Sequence, residues 1–415
     1  MNSPTNRTLD AIWRIESPKL IAGLMRLVRD VGRAEELAQD AFVAALTRWP
    51  NEGIPDNPGA WLMTVAKRRA IDQIRRNKTF EQKTDELGRN LDASDLTDFD
   101  AVHQEIDDDV LRLMFVAAHP VLAAEARVAL MLRLLGGLTT AEIARAFLMP
   151  EPTIAQRIVR AKRTLAEARV PFEVPGQSER ASRLASVLEA IYLIFNEGYA
   201  ATAGDDVLRP ELVEDALRLG RVLAAFMPGE PEVHGLVALM EIQSSRMRAR
   251  VDAAGEPVLL LDQDRGKWNR LQIQRGLNAL SRAERFGHAL GPYALQAAIA
   301  ACHARAATAE DTDWERIAAL YDALAQILPS PVIELNRAVA VGMAFGAQQG
   351  LEIVDRLAGE PSLKRYHLLP SVRADLLFKA GRSSEARAEF ERAASMAQNS
   401  RDRALLLKRA AECRF

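Results

Sequence analysis

The segment Thr139–Leu165 reads TTAEIARAFLMPEPTIAQRIVRAKRTL, two short helical periods separated by a turn. Ile143, Ala144 and Phe147 recur on one face of a first helix, Thr140–Phe147. Ile154, Ile158 and Val159 give a second helix, Pro152–Ala168, its apolar side. Leu148-Met149-Pro150-Glu151 supplies the turn, and Pro152 suits a first helical position, where an N–H would have no partner anyway. Two helices joined this tightly make a helix-turn-helix. The second helix turns Thr153, Gln156, Arg157, Arg160, Lys162 and Arg163 outward, and Thr140 at the start of the first helix joins them. Such a helix fits the major groove. Gln can pair with adenine and Arg with guanine near its start, while cations farther along grip phosphates. The same spacing also fits an ordinary helical hairpin with a solvated basic face.

Upstream, Leu37, Ala41, Ala45 and Trp49 recur every four residues, with Phe42 and Leu46 beside them, so Ala34–Trp49 is expected to be an amphipathic helix. The breaker cluster NEGIPDNP, Asn51–Pro58, reads as a loop. A basic helix, Ala60–Arg76, follows. Its apolar positions are Trp61, Leu62, Val65, Ala66, Ala70, Ile71 and Ile74, and its other face carries Lys67, Arg68, Arg69, Arg75 and Arg76. Six basic residues in and just after this helix, with an aromatic at its start, suit a DNA backbone and unstacked bases. A charged surface helix with Trp61 in the core reads equally well. Residues 81–109 are dominated by Asp and Glu and are expected to be a flexible acidic linker. It is either a solvated spacer or a mimic of DNA phosphate that shields the flanking basic helices. A further helix is expected over Val121–Leu135, ending at Gly136-Gly137.

The order AEELAQDAFVAALTRW, NPGAWLMTVAKRRAIDQIRR, acidic linker and helix-turn-helix resembles the extracytoplasmic-function sigma factors of the sigma-70 family. The resemblance covers most of the first 170 residues and implies an all-α chain of four parts. These are a region-two domain (1–80), a linker (81–110), a region-four domain (111–174) and a helical C-terminal extension (175–415). It implies that Glu36, Gln39, Asp40 and Val43 dock on core RNA polymerase. Asn57, Trp61, Thr64, Lys67, Arg68, Arg69, Arg75 and Arg76 would hold the melted minus-ten strand of promoter DNA. The helix from Pro152, with Thr140, would read the minus-thirty-five duplex. Many relatives have Asn where this chain has Arg68, and Arg68 is expected to hold phosphate instead.

From Arg180 onward the chain is helix after helix, broken at Gly and Pro. ADLLFKAGRSSEARAEFERAAS, with Ala374, Ala380, Gly381, Ala386, Phe390, Ala393 and Ala394, looks like a tetratricopeptide repeat. VIELNRAVAVGMAFGAQQGLEIVDRL reads as a second, degenerate pair. The whole chain therefore resembles the sigma-factor subgroup with a fused tetratricopeptide-like tail, of which LEAIYLIFNEGYAAT and LLLDQDRGKWNRLQI look like hallmarks. Asn196, Glu197 and Tyr199, with Asp262, Asp264, Arg265 and Trp268, could form a polar site. They read equally as helix caps and mutually satisfied buried groups. The tail is expected to contact the sigma domains or an unidentified protein or peptide.

Lys and Arg number 54 against 56 Asp and Glu, so net charge alone does not argue for nucleic acid. Cys302 and Cys413 lie far apart, without CxxC spacing, which argues against a disulfide framework or zinc. The six His are scattered, and no cofactor or metal is expected. No apolar stretch reads as a signal peptide or a membrane span, so a cytoplasmic protein without membrane contact is expected. No phosphate loop or nucleophile–base constellation is evident, and a non-enzyme is expected. The competing reading is a helix-turn-helix regulator with a ligand- or peptide-sensing tail. The AEELAQDAF and AWLMTVAKRRAID helices separate the two, because a plain repressor needs neither.

Overall fold

The computed structural model describes residues 4–81, 99–147, 149–199, 208–252, 256–287, 289–397 and 400–413. Regular structure among them is helical apart from one antiparallel bridge, Val251 with Pro257, so the chain is all-α as its periodicity predicts. It divides into two compact units, Met1–Leu193 and Ile194–Phe415.

In the first unit α1 (Pro4–Val28) packs against α2 (Val31–Glu52), α3 (Pro58–Glu81) and α4 (Phe99–Ala117). The four-residue stripe of α2 is the reason: Leu37, Ala41, Ala45 and Trp49 are buried, with Leu20, Ile21 and Leu24 of α1 and Leu62, Ala66 and Ala70 of α3. Ile71, counted with that apolar side, is 44% exposed. The expected loop 51–58 is shorter, because α2 runs through Pro50 to Glu52 and ends where Gly53 breaks it. α4 starts at Phe99, so the last part of the expected acidic linker is helical. Phe99, Val102, Ile106 and Val110 set a helical period among the acids. Residues 82–98 lie outside the described ones.

α5 (Ala124–Leu134), α6 (Thr140–Ala146) and α7 (Glu151–Glu167) form a second cluster in this unit. α8 (Gln177–Tyr199) follows, and the division between the units falls within it. Its first turns belong to the first unit. Arg183 Nη2 donates to the Phe115 carbonyl at 3.2 Å, and Arg127 bonds to Ser186 and pairs with Glu189 at 2.8 Å.

The second unit comprises α9 (Pro210–Phe226), α10 (Pro231–Ser244), α11 (Arg270–Glu284), α12 (Pro292–Arg305), α13 (Trp314–Ile327), α14 (Pro331–Phe345), α15 (Ala347–Leu357), α16 (Leu368–Lys379), α17 (Ser383–Met396) and α18 (Ser400–Glu412). α9, α10, α12 and α14 each open on a proline, whose fixed φ starts a helix and whose missing N–H costs nothing there. Among the described residues, the substantial helix contacts of this unit run to neighbours one or two places along the chain. The pair α16–α17 turns at Gly381, whose φ of 76° a side chain would oppose, and buries Ala374, Ala386, Phe390, Ala393 and Ala394. Cys302 and Cys413 are free and buried. No described helix is long and apolar enough to cross a membrane.

Candidate nucleic-acid interface

The helix-turn-helix is built from α6 and α7. Thr139 and Glu142 cap α6 reciprocally: the Glu142 N–H donates to Thr139 Oγ1 at 3.1 Å, and the Thr139 N–H donates to Glu142 Oε2 at 2.7 Å. Glu142 also pairs with Arg14 of α1 at 2.8 Å. Burial pushes the Glu142 carboxyl up, but the Thr139 hydrogen bonds and the Arg14 guanidinium outweigh it and hold it below the usual range. Just before this cap the chain turns at Gly137, φ 69°, where a Cβ would stand 3.2 Å from the Arg14 backbone.

Ile154, Ile158, Ala161 and Leu165 bury one side of α7. Val159, expected among them, is instead 63% exposed, because it stands a further 100° round the helix from Ile158. Thr153, Gln156, Arg160 and Arg163 are exposed, Arg157 and Thr140 half-buried. Thr153, Gln156, Arg157 and Arg160 line an open cleft of about 370 Å³ with Leu122 and Glu125. Arg163 pairs along its own helix with Glu167 at 2.6 Å.

Lys162 is turned elsewhere. It forms an ion pair with Glu35 of α2, a carboxylate only 2% exposed, which also accepts from Arg133 Nε of α5 and from the Gln39 amide, each at 2.6 Å. Two cations and an amide thus converge on one buried acid, and the reading helix is fastened to α2 through it. Neither Glu35 nor Arg133 stood out in the sequence. Glu35 occupies an interior position of α2, and a charged residue there signals a partner that only the fold supplies.

Farther round α2, Glu36, Asp40 and Val43 are exposed, Val43 at 58%, and Leu46 along the helix is 42% exposed. Gln39 is half-buried and spent on Glu35. On α3, Asn57 caps the helix, accepting from the Ala60 N–H at 3.0 Å. Trp61 is half-buried, edge-on to Trp49 with centroids 5.2 Å apart. Thr64, Arg68 and Arg75 are exposed, and Lys67 is half-buried. Arg69 pairs with Asp40 at 3.4 Å, joining the two faces. The side chain of Arg76 lies outside the described ones.

In the second unit the two polar segments meet, through a residue the sequence reading passed over. Arg246 Nη2 donates to Tyr199 Oη at 2.6 Å, and its guanidinium lies 5.7 Å from the Trp268 ring centroid. Arg265 is buried and donates to the carbonyls of His303 (2.5 Å) and Ala306 (2.8 Å) and to Thr312 Oγ1 (3.2 Å), closing the end of α12. Glu197 pairs with Arg209, Asn196 is half-buried, and Asp264 accepts from the Gly266 N–H at 2.8 Å. Asp262 is exposed. The basic run SSRMRAR, Ser244–Arg250, was the signal that could have found Arg246.

Residues 12–80 match Sigma-70 region 2 and residues 112–165 match Sigma-70 region 4. Residues 183–284 match a family of unknown function (DUF6596). The chain is 45% identical over 94% of its length to the protein R00370 of Rhizobium meliloti, of which 92% is covered. It is 26% identical to the probable ECF RNA polymerase sigma factor SigI of Mycobacterium tuberculosis, over 64% of this chain and 92% of that one. The ECF RNA polymerase sigma factor SigC of the same species is 29% identical over 35% of this chain and 76% of its own. No solved structure matches the chain.

Proposed function

The chain belongs to the sigma-70 family, as an alternative sigma factor of the extracytoplasmic-function type that directs transcription initiation, and on that footing we propose how its surfaces divide the work. Region-two and region-four matches imply core RNA polymerase and promoter DNA as partners. The exposed side of α2, with Glu36, Asp40, Val43 and Leu46, docks on the polymerase. The start of α3, with Trp61, Thr64 and Arg68, takes the melted minus-ten strand, and α7 reads the minus-thirty-five duplex. The observation that carries this reading is that Thr153, Gln156, Arg157 and Arg160 of α7 line one open cleft, while a capping box fixes the start of α6 before it. Four side chains with base- and phosphate-seeking chemistry share a single face there.

Both elements cannot be read in the closed arrangement. Their names place them about 25 base pairs apart, roughly 85 Å along B-DNA at about 3.4 Å per step. In this structure α7 is ion-paired to α2 through Lys162 and Glu35. The closed form is therefore the resting one, and polymerase and promoter draw α7 away, freeing Lys162 for phosphate. The solenoid tail, which we read as tetratricopeptide-like, regulates that change by contact with the sigma domains or with a protein or peptide, in place of a separate anti-sigma partner. The factor works in the cytosol and lends polymerase its promoter choice without chemistry of its own.

The test is a gel-shift and core-binding series. Arg157→Ala should weaken duplex binding to the minus-thirty-five sequence and leave core binding intact, and Val43→Asp should do the reverse. Loss of both activities in both variants would contradict the division of labour.

A further inference from the structure

We propose that Arg246 and Arg250 form an oxyanion site in the tail, one that takes the phosphate group of a small molecule. Five side chains stack as a ladder of alternating cations and rings. The Arg250 guanidinium lies 3.8 Å from the Tyr199 centroid, and Arg246 stands 6.0 Å from Tyr199 and 5.7 Å from Trp268. Arg265 follows at 4.9 Å from Trp268. The rings hold the guanidinium planes in place, and Phe195 stacks behind Tyr199 at 5.4 Å.

Among the described residues, no carboxylate accepts a hydrogen bond from Arg246 or Arg250. Arg265 ends on two carbonyls and a hydroxyl, which engage both of its terminal nitrogens. Arg246 bonds through one nitrogen only, to Tyr199 Oη and to Gln243. Arg250 bonds through one nitrogen to the Tyr199 carbonyl. Each guanidinium has five N–H donors, so most of those on Arg246 and Arg250 find no acceptor among the described residues. Among the described acids around the ladder, Glu310 and Asp311 act on Arg265, Glu197 pairs with Arg209, and Asp264 and Asp252 accept from the Gly266 and Glu256 N–H groups. Burial and the adjacent Arg250 lower the Arg246 pKa, and burial with Arg246 and Arg265 beside it lowers His303 to about 4. Arg246 and Arg250, half-buried with unspent planar donors and no carboxylate bonded to them among the described residues, lack a counter-ion there. Two guanidinium forks beside a hydroxyl match a tetrahedral dianion in geometry and charge. The rings of Tyr199 and Trp268 are covered by guanidinium groups and by Phe195, which leaves no platform for a base or another flat group. Recognition is of the phosphate itself. The site lies within residues 183–284, the segment that matches the family of unknown function.

The test uses the full chain without polymerase or DNA, so its outcome is independent of the sigma-factor reading. Calorimetric titration is run with inorganic phosphate and, separately, with glycerol 3-phosphate, each against sodium chloride at equal ionic strength. Saturable binding of either is expected, weakened at least tenfold in Arg246→Gln and Arg250→Gln. It should be unchanged in Arg248→Gln, which removes an exposed charge from the same turn. Binding of the ester alone points to an organophosphate signal, and binding of inorganic phosphate alone to the free ion. Circular dichroism checks that each variant folds. Should Arg246→Gln unfold, Arg250→Gln carries the result, since it gives up one backbone hydrogen bond and one ring contact, both to Tyr199. No saturable binding of either probe, or equal weakening in Arg248→Gln, overturns the proposal.

Discussion

At the scale of single residues, buried titratable groups make the sharpest predictions. His303 is nine-tenths buried, edge-on to Trp314 with centroids 5.2 Å apart, and its pKa is lowered to about 4 by burial and by Arg246 and Arg265. The unfolded chain takes up a proton near pH 6.5 and the folded chain does not until about pH 4. Between those values the unfolded state binds more protons, so stability falls as pH falls, by about 1.4 kcal/mol per pH unit from this one group. Denaturant unfolding of the full chain from pH 7 to pH 5 should show that loss, and His303→Gln should flatten it. Glu142 has the opposite placement on the scale. Its depressed carboxyl contributes stability above its unfolded pKa and loses it only as the pH falls through the lower, folded value. Arg157 faces the cleft of α7, and Arg157→Ala should cost about 1–3 kcal/mol of discrimination at one base pair if it forks onto guanine. Competition binding with single-base variants of the duplex measures this.

At the scale of elements, the join between α7 and α2 is the feature to break. Glu35→Ala leaves Arg133 and Lys162 without their acid, and losing one partner of a buried pair typically costs about 3–5 kcal/mol. The first unit should therefore melt earlier while binding core polymerase more tightly. A rise in its radius of gyration by small-angle scattering checks the opening, and unchanged scattering with unchanged core affinity would remove the latch from the account. This join also marks where sequence reading stops. Helix existence and type were legible in most segments, the start of α4 within the acidic stretch excepted, because Leu37, Ala41, Ala45 and Trp49, or Ile154, Ile158 and Leu165, repeat at the helical period whatever they pack against. The cap at Thr139–Glu142 was equally local, Thr and Glu three apart ahead of an apolar pair. What could not be read were contacts between residues distant in sequence. Lys162 looked like one more outward cation because Glu35 lies more than a hundred positions away, and Val159 looked apolar and therefore inward although α7 had no more side to bury. Arg246, which bridges two segments whose polar residues could already be grouped from the sequence, comes from neither of them.

At the scale of the whole molecule, the boundary inside α8 governs how the tail can be removed. A chain ending at Val174 loses Arg183, Ser186 and Glu189, which hold α8 to Phe115 and Arg127, along with the buried Leu184, Val187 and Leu188. It should unfold at a lower temperature than a chain ending at Tyr199, as calorimetry would show. Regulation by the tail is therefore best compared between the full chain and the version ending at Tyr199. Higher promoter activity in the shorter form would make the tail a restraint, and lower activity an activator. Run-off transcription with purified bacterial core polymerase, on the promoter upstream of the chain's own gene, tests the central claim most directly. The account predicts initiation that depends on the full chain, is lost in Val43→Asp and shifts with Glu35→Ala. Duplex DNA binding without any association with core or any transcript would contradict it, and would leave a helix-turn-helix regulator with a sensing tail.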